Sequence, residues 1–171
     1  GRRAHERRAG WLRERLAAFL REKGLRAMTD WPAEPREQLD GPVAVVSLRG
    51  CQAGPAGFQH YLGERYDKER EQWVEVYGQK VQFTFGLDLY APPKLGEGAM
   101  QAALDQLAGA CAGAGPEGLD IREFSCGETG YGRDSRLLKR PAQAVCTACL
   151  YAVTEPGGAF LDFEVRGESH Q

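Results

Sequence analysis

Histidine is scarce in this chain of 171 residues, which has only His5, His60 and His170. Two of the three stand near the ends. A cysteine nucleophile needs a histidine base, so His60 is the one interior choice, and Cys126 is the least unsuitable partner for it. Long apolar runs are also missing. No stretch approaches the ~20 residues that span a bilayer, and residues 1–8 are not followed by the apolar segment of a secretory signal. Neither charge sign dominates. A formal net charge of −2 gives no global attraction to nucleic acid or to an anionic membrane.

A second Cys-x-x-Cys is missing as well. Cys146-Thr147-Ala148-Cys149 has the spacing of half a zinc site, but no histidine lies within ~80 residues upstream of it. It falls inside a strand pattern, where positions three apart point to opposite faces. The five cysteines, Cys51, Cys111, Cys126, Cys146 and Cys149, are odd in number and irregular in spacing. They read as reduced thiols rather than a disulfide framework. The glycine-rich run 127–132 lacks the Gly-Lys-Ser/Thr ending of a phosphate loop and has no helix after it. No metal-ligating set and no cofactor motif is present, and Asp88, Asp162 and Glu164 read as solvated or interface-facing carboxylates on polar strand faces. These readings point away from an enzyme.

What is present is a strong strand signal. Val81, Phe83, Phe85, Leu87 and Leu89 alternate with Gln82, Thr84, Gly86, Asp88 and Tyr90. That period of two marks a strand with one buried face, and Pro92-Pro93 stops it. Before it, residues ~5–24 form a helix with Trp11, Leu12, Leu16, Phe19 and Leu20 on one face and Gly24 as its stop. Residues ~28–42, with three prolines, form a loop. Strands are predicted at ~43–48, ~58–66 and ~72–90, with residues 67–70 turning a hairpin and Gly78 permitting a bulge or bend. A slim alanine-rich helix covers ~98–113, and further strands cover ~119–126, ~136–153 (interrupted at Pro141) and ~160–166.

With 42% hydrophobic residues the chain can bury a core as one domain. The element order predicts an α+β two-layer sandwich: a largely antiparallel or mixed sheet, two helices on one face, and long hairpin arms. Arg2, Arg3, Arg7 and Arg8 crowd the start of the first helix. They read either as a solvated end or as a contact for nucleic acid or an acidic partner. The hairpin tip carrying Tyr131, Arg133, Asp134 and Arg136 reads as a passive loop or as a contact arm.

The element order, with Phe83-Thr84-Phe85-Gly86-Leu87-Asp88-Leu89-Tyr90-Ala91-Pro92 leading into a Gly/Ala helix, resembles tail-terminator and tail-completion (head–tail joining) proteins of tailed bacteriophages and prophages. The resemblance covers most of the chain as topology. It implies a ring of self-associated subunits, typically a hexamer, that contacts tail-tube and head-completion proteins in the virion or, during assembly, in the host bacterial cytoplasm. It implies no cofactor and no membrane. Interface residues would be Arg65, Tyr66 and Trp73 on one hairpin, and Tyr131, Arg133, Asp134 and Arg136 on the other. Two other functions remain open: a cysteine-using enzyme or small-ligand domain with a pocket between helices and sheet, and a nucleic-acid adaptor using the basic N-terminal helix.

Overall fold

One strand of 20 residues organises the molecule. In the computed structural model, which describes residues 2–30, 39–53, 60–156 and 160–165 (backbone only for 2–9, 53, 60, 160 and 162–165), this strand is Gln72–Ala91. In chain order the elements are α1 (Arg2–Glu22), β1 (Ala27–Met28), β2 (Val43–Ala53), β3 (His60–Asp67), β4 (Gln72–Ala91), α2 (Gly96–Ala112), β5 (Asp120–Cys126), β6 (Gly130–Gly132), β7 (Leu137–Arg140), β8 (Ala142–Thr154) and β9 (Phe160–Val165). A short 3-10 turn, Pro93–Leu95, links β4 to α2.

Both edges of β4 are paired along most of their length. On one side β2 and then β3 run antiparallel to it, from Val43 opposite Tyr90 to Asp67 opposite Gln72. On the other side β7 and β8 do the same, broken only at Pro141. Outside β8 lie β5 and β9, and outside β7 lies β6. The fold is therefore an α+β sheet in which long strands are interrupted rather than replaced. β1 adds a two-residue parallel edge to β2 inside the segment expected to be loop.

The alternation along 81–90 decides which face is buried. Val81, Phe83, Phe85, Leu87 and Leu89 are at most 1% exposed. They share one core with Leu12, Leu16 and Leu20 of α1, with Met100, Leu104 and Leu107 of α2, and with Ala144, Cys146 and Leu150 of β8. Both helices lie on this face. α1 ends in a Schellman arrangement: the Leu25 amide donates to the Leu20 carbonyl (3.0 Å), the Gly24 amide donates to Arg21 (2.9 Å), and Gly24 takes φ 89°. Gln106 of α2 donates to the Lys23 carbonyl at 3.0 Å and ties the second helix to that end.

Three expectations need correction. Gly78 marks no bulge in its own strand, because the β4–β8 ladder runs unbroken from Glu75 to Gly86. The extra residue is in the partner β3, between Tyr61 and Gly63. The face opposite the helices is not bare, since Leu39, Val43 and Leu137 form a second small core there with Met28 and Tyr90 against it. Nor is Asp88 a solvated carboxylate. It is 8% exposed and enclosed by partners.

Candidate functional site: an aromatic arm and a basic hairpin tip

The β3–β4 hairpin begins with a turn built by one carboxylate. Asp67 accepts from the backbone amides of Glu69 (3.0 Å) and Arg70 (3.2 Å) and from Nη1 of Arg70 (2.6 Å). The hydrogen bond from the Arg70 side chain, with help from the two amides, holds the Asp67 carboxyl below its ordinary range. Glu71 closes the turn at φ 52°. This turn sets the register that follows: Tyr66 opposite Trp73, Glu64 opposite Glu75, Tyr61 opposite Tyr77.

Residues directly opposite share a face. Tyr66 and Trp73 meet edge to face, with ring centroids 5.8 Å apart. Tyr61 and Tyr77 do the same at 5.4 Å. All these positions lie on the helix-side face, because Tyr77 is in line with Val81 and packs against the main core. Nearer the turn the same face is open: Tyr66 is 49% and Trp73 is 57% exposed. Between the two ring pairs sit Glu64 and Glu75. The Tyr77 hydroxyl donates to Oε2 of Glu75 at 2.8 Å, and this bond raises the Tyr77 phenol above its usual value. Partial burial, and then the charges of Glu64 and Glu75, raise Tyr61 as well. Arg65, opposite Val74, falls on the other face.

The tip at the other end of the sheet is also built. β6 pairs with β7, the Arg136 amide donates to the Gly132 carbonyl at 2.8 Å, and Arg136 sits at φ 58°. A Cβ on Gly132 would lie 2.6 Å from Ser135 Oγ, so a side chain there would make the Ser135 hydroxyl, which accepts from the Leu137 amide at 3.3 Å, turn aside. Tyr131, Arg133, Asp134 and Arg136 are all exposed. Arg140 secures the base of the tip by donating Nε to the Gly127 carbonyl (2.8 Å) and Nη1 to Gln101 of α2 (3.3 Å). The structure therefore places each expected interface residue on an arm or a tip, but in two groups. Arg65, Tyr66 and Trp73 lie at one end of β4, and the tip residues lie at the other.

A polar cluster missed at the level of sequence lies on the face away from the helices. Both carboxylate oxygens of Asp88 accept from Nη2 of Arg49 at 2.8 Å. Oδ1 also accepts from the Ala142 amide at 3.1 Å, and Lys139 Nζ is 3.7 Å from Oδ2. The Arg49 guanidinium lies over Gly86, where a Cβ would come within 2.7 Å of Nε and 2.9 Å of Cζ. Glycine at 86 is what lets the arginine cross the strand. The signal was in the sequence: a glycine inside a strand, with an aspartate two positions on.

Cys146 and Cys149 do point to opposite faces. Cys146 is in the core with Cys111, and burial pushes these thiols up to about 12 and about 11. That is the reverse of what activates a nucleophile. Cys149 lines a shallow cleft of about 220 Å³ with Lys80, Asp120 and Thr147 on the other face. Cys51 and Cys126 are exposed. The His60 side chain lies outside the described residues, yet the backbone separates it from Cys126. His60 is level with Gly78 of β4, whereas the β5 residue beside Cys126 is level with Gly86, ~27 Å further along. The side chains of Arg2, Arg3, His5, Arg7, Arg8, Asp162 and Glu164, and all of His170, also lie outside the described residues. Among the described residues no three His, Cys, Asp or Glu side chains gather as a metal site, and no helix is long and apolar enough to cross a membrane.

Comparison of the chain with models of known protein families gives no match, and comparison with curated protein sequences gives none either.

Proposed function

We propose that this chain is a structural assembly subunit of a phage or prophage tail, one that caps the tail tube or joins tail to head as an oligomeric ring. The observation that carries the reading is the β3–β4 arm, which presents Tyr66 and Trp73, 49% and 57% exposed, on the face where the core has ended. Large half-exposed rings on a rigid two-stranded arm are costly to leave in water and are enriched where proteins meet. The element order that resembles tail-terminator and tail-completion proteins supports the same reading. Neighbours in such an assembly are further copies of the chain, tail-tube subunits and head-completion proteins. Function then lies in surfaces rather than in a reaction.

The test is assembly. The purified chain is examined by sedimentation velocity over a concentration series, then mixed with tail tubes from a phage or prophage whose genes neighbour its own. Discrete oligomers that bind tube ends are expected. Trp73→Ala combined with Tyr66→Ala is expected to abolish them while leaving the far-ultraviolet circular dichroism unchanged. A wild-type chain that stays monomeric at high concentration and ignores tail tubes overturns the reading.

A further inference from the structure

The two exposed ends of the sheet carry opposite charge. Residues 60–78, the arm, hold five carboxylates against three cations, whereas residues 127–140, the tip, hold four cations against two carboxylates. On the arm the charge is also sorted by face. Glu64 and Glu75 stand opposite each other on the ring-bearing face, and Arg65 falls on the other one. Like charges directly opposite in a ladder destabilise it. Among the described residues no cation is paired with either glutamate, and the hydrogen bond of Glu75 comes from a neutral phenol. Two carboxylates flanked by the Tyr61–Tyr77 and Tyr66–Trp73 ring pairs make a seat for a guanidinium. Ion pairing is available from the acids and cation–π contact from the ring faces.

The tip is the matching part on the same chain. Arg133 and Arg136 are exposed at its turn, beside Tyr131 at 55% exposure. Within one copy the two surfaces cannot meet. The arm pairs with β4 at residues 72–78, and β7, which carries the tip, pairs with β4 at Leu89–Ala91. Gly78 and Leu89 are eleven residue steps of extended strand apart, ~37 Å.

We propose that the ring-bearing face of the arm is a docking site for the β6–β7 tip of a second copy, with Arg133 and Arg136 entering between the two ring pairs onto Glu64 and Glu75. Complementary patches at opposite ends of one subunit give a head-to-tail contact, which builds a closed ring or an open fibre according to the rotation per step. This inference rests on the assembly reading above, because it names the partner and the surfaces.

Charge exchange in the full chain tests it. The arm variant is Glu64→Lys with Glu75→Lys, and the tip variant is Arg133→Glu with Arg136→Glu. Each alone is expected to weaken self-association roughly tenfold or more, with an unchanged circular dichroism spectrum. The two variants mixed in equal amounts regain oligomers, because every arm then faces a tip of opposite sign, and one chain carrying all four changes regains them by itself. Wild-type association that is insensitive to both variants, or variants that lose association without recovery on mixing, overturns the arm–tip contact. A wild-type chain monomeric at all concentrations overturns it too. Recovery on mixing by oligomers that never bind tail tubes upholds the contact and overturns only the tail-assembly function.

Discussion

Replacing Gly86 with alanine should destabilise the protein, although alanine normally improves on glycine inside a strand. Gly86 is not at positive φ, so the backbone itself accepts a Cβ. By removing unfolded-state freedom, the change would on its own stabilise by about 0.5–1 kcal/mol. The obstacle is Arg49. The added Cβ would be 2.7 Å from its Nε and 2.9 Å from its Cζ, and 2.5 Å from Ser47 Oγ. The serine hydroxyl can turn aside by a rotamer change. The guanidinium is planar and pinned by two 2.8 Å contacts to Asp88, so it must lift away. Asp88, 8% exposed, then keeps the Ala142 amide at 3.1 Å and Lys139 at 3.7 Å but loses its closest partner. A hydrogen bond to a charged group contributes about 1.5–3 kcal/mol. The Arg49 side chain is 38% exposed, so the lower half of that range applies. The net expectation for Gly86→Ala is a loss of about 1 kcal/mol. A double-mutant cycle isolates the clash with Arg49. Once Arg49→Ala has removed the guanidinium, Gly86→Ala should be neutral or stabilising, giving a coupling of about 1–2 kcal/mol. Urea unfolding followed by tryptophan fluorescence measures all four corners. Additivity within about 0.5 kcal/mol, or stabilisation by Gly86→Ala in the otherwise unchanged protein, would refute the account of this cluster.

The thiols should separate by reactivity: Cys51 and Cys126 are expected to label rapidly with iodoacetamide in the folded chain, and Cys111 and Cys146 only after unfolding. Mass spectrometry of the labelled peptides reads this directly, and labelling of either core thiol under native conditions would contradict its burial. The same two groups predict alkaline sensitivity. Their folded values of about 11 and about 12 stand above the ordinary 9.0, so their neutral form is favoured by folding. That contribution is complete below pH 9 and is lost as pH rises towards 11–12, with a slope of at most about 1.4 kcal/mol per pH unit for each thiol. Cys111→Ala with Cys146→Ala should flatten the fall of the melting temperature across that window, and an unchanged profile would remove the thiols as its cause. At the arm turn, Glu71→Gly relieves a residue held at φ 52°. It should stabilise by about 1 kcal/mol, a rise of roughly 2–4 °C in melting temperature.

Where local pattern and tertiary burial agree, the fold is legible in the chain. Leu12, Leu16 and Leu20 recur at helical spacing and are fully buried together, and the alternation from Val81 to Leu89 marks the core face of β4. The interruption at Pro141 is equally direct, since β7 ends at Arg140 and β8 begins at Ala142. Long-range pairing was harder to see. β1 is two residues that no period can reveal, and it exists because Ala27 and Met28 lie beside Ala44 and Val45. The bulge belongs to β3 rather than to the glycine in β4, because a bulge is a property of a pair of strands and Gly78 has an unbroken partner in β8. Asp88 looked wet because its face alternates with an apolar one. It is buried because Arg49, 39 positions earlier, crosses Gly86 to reach it. Tyr66 and Trp73 were expected on a hairpin as interface residues, but their exposure and their setting were not legible. The opposition of Glu64 and Glu75 follows from the register that the Asp67 turn imposes.

Along β4 the residues that build the core and the residues that form the arm are separate. The apolar face that holds both helices is supplied by residues 81–89, in the middle and C-terminal part of the strand. The arm residues beyond Tyr77 are outside that core, so their rings and carboxylates can be chosen for a partner rather than for packing. The same strand makes the two ends rigid relative to one another, because β8 pairs with it continuously across Gly78 and into the arm as far as Glu75. A head-to-tail contact needs that rigidity. In the proposed arm–tip contact, the right-handed twist of the strand between arm and tip would contribute to the rotation between successive copies, and a ring would close only if that rotation repeats without error. The Arg49–Asp88 pair and the Ala142 amide join β2, β4 and β8 within this span. In the proposed arm–tip contact they would brace the stretch of β4 that separates arm from tip.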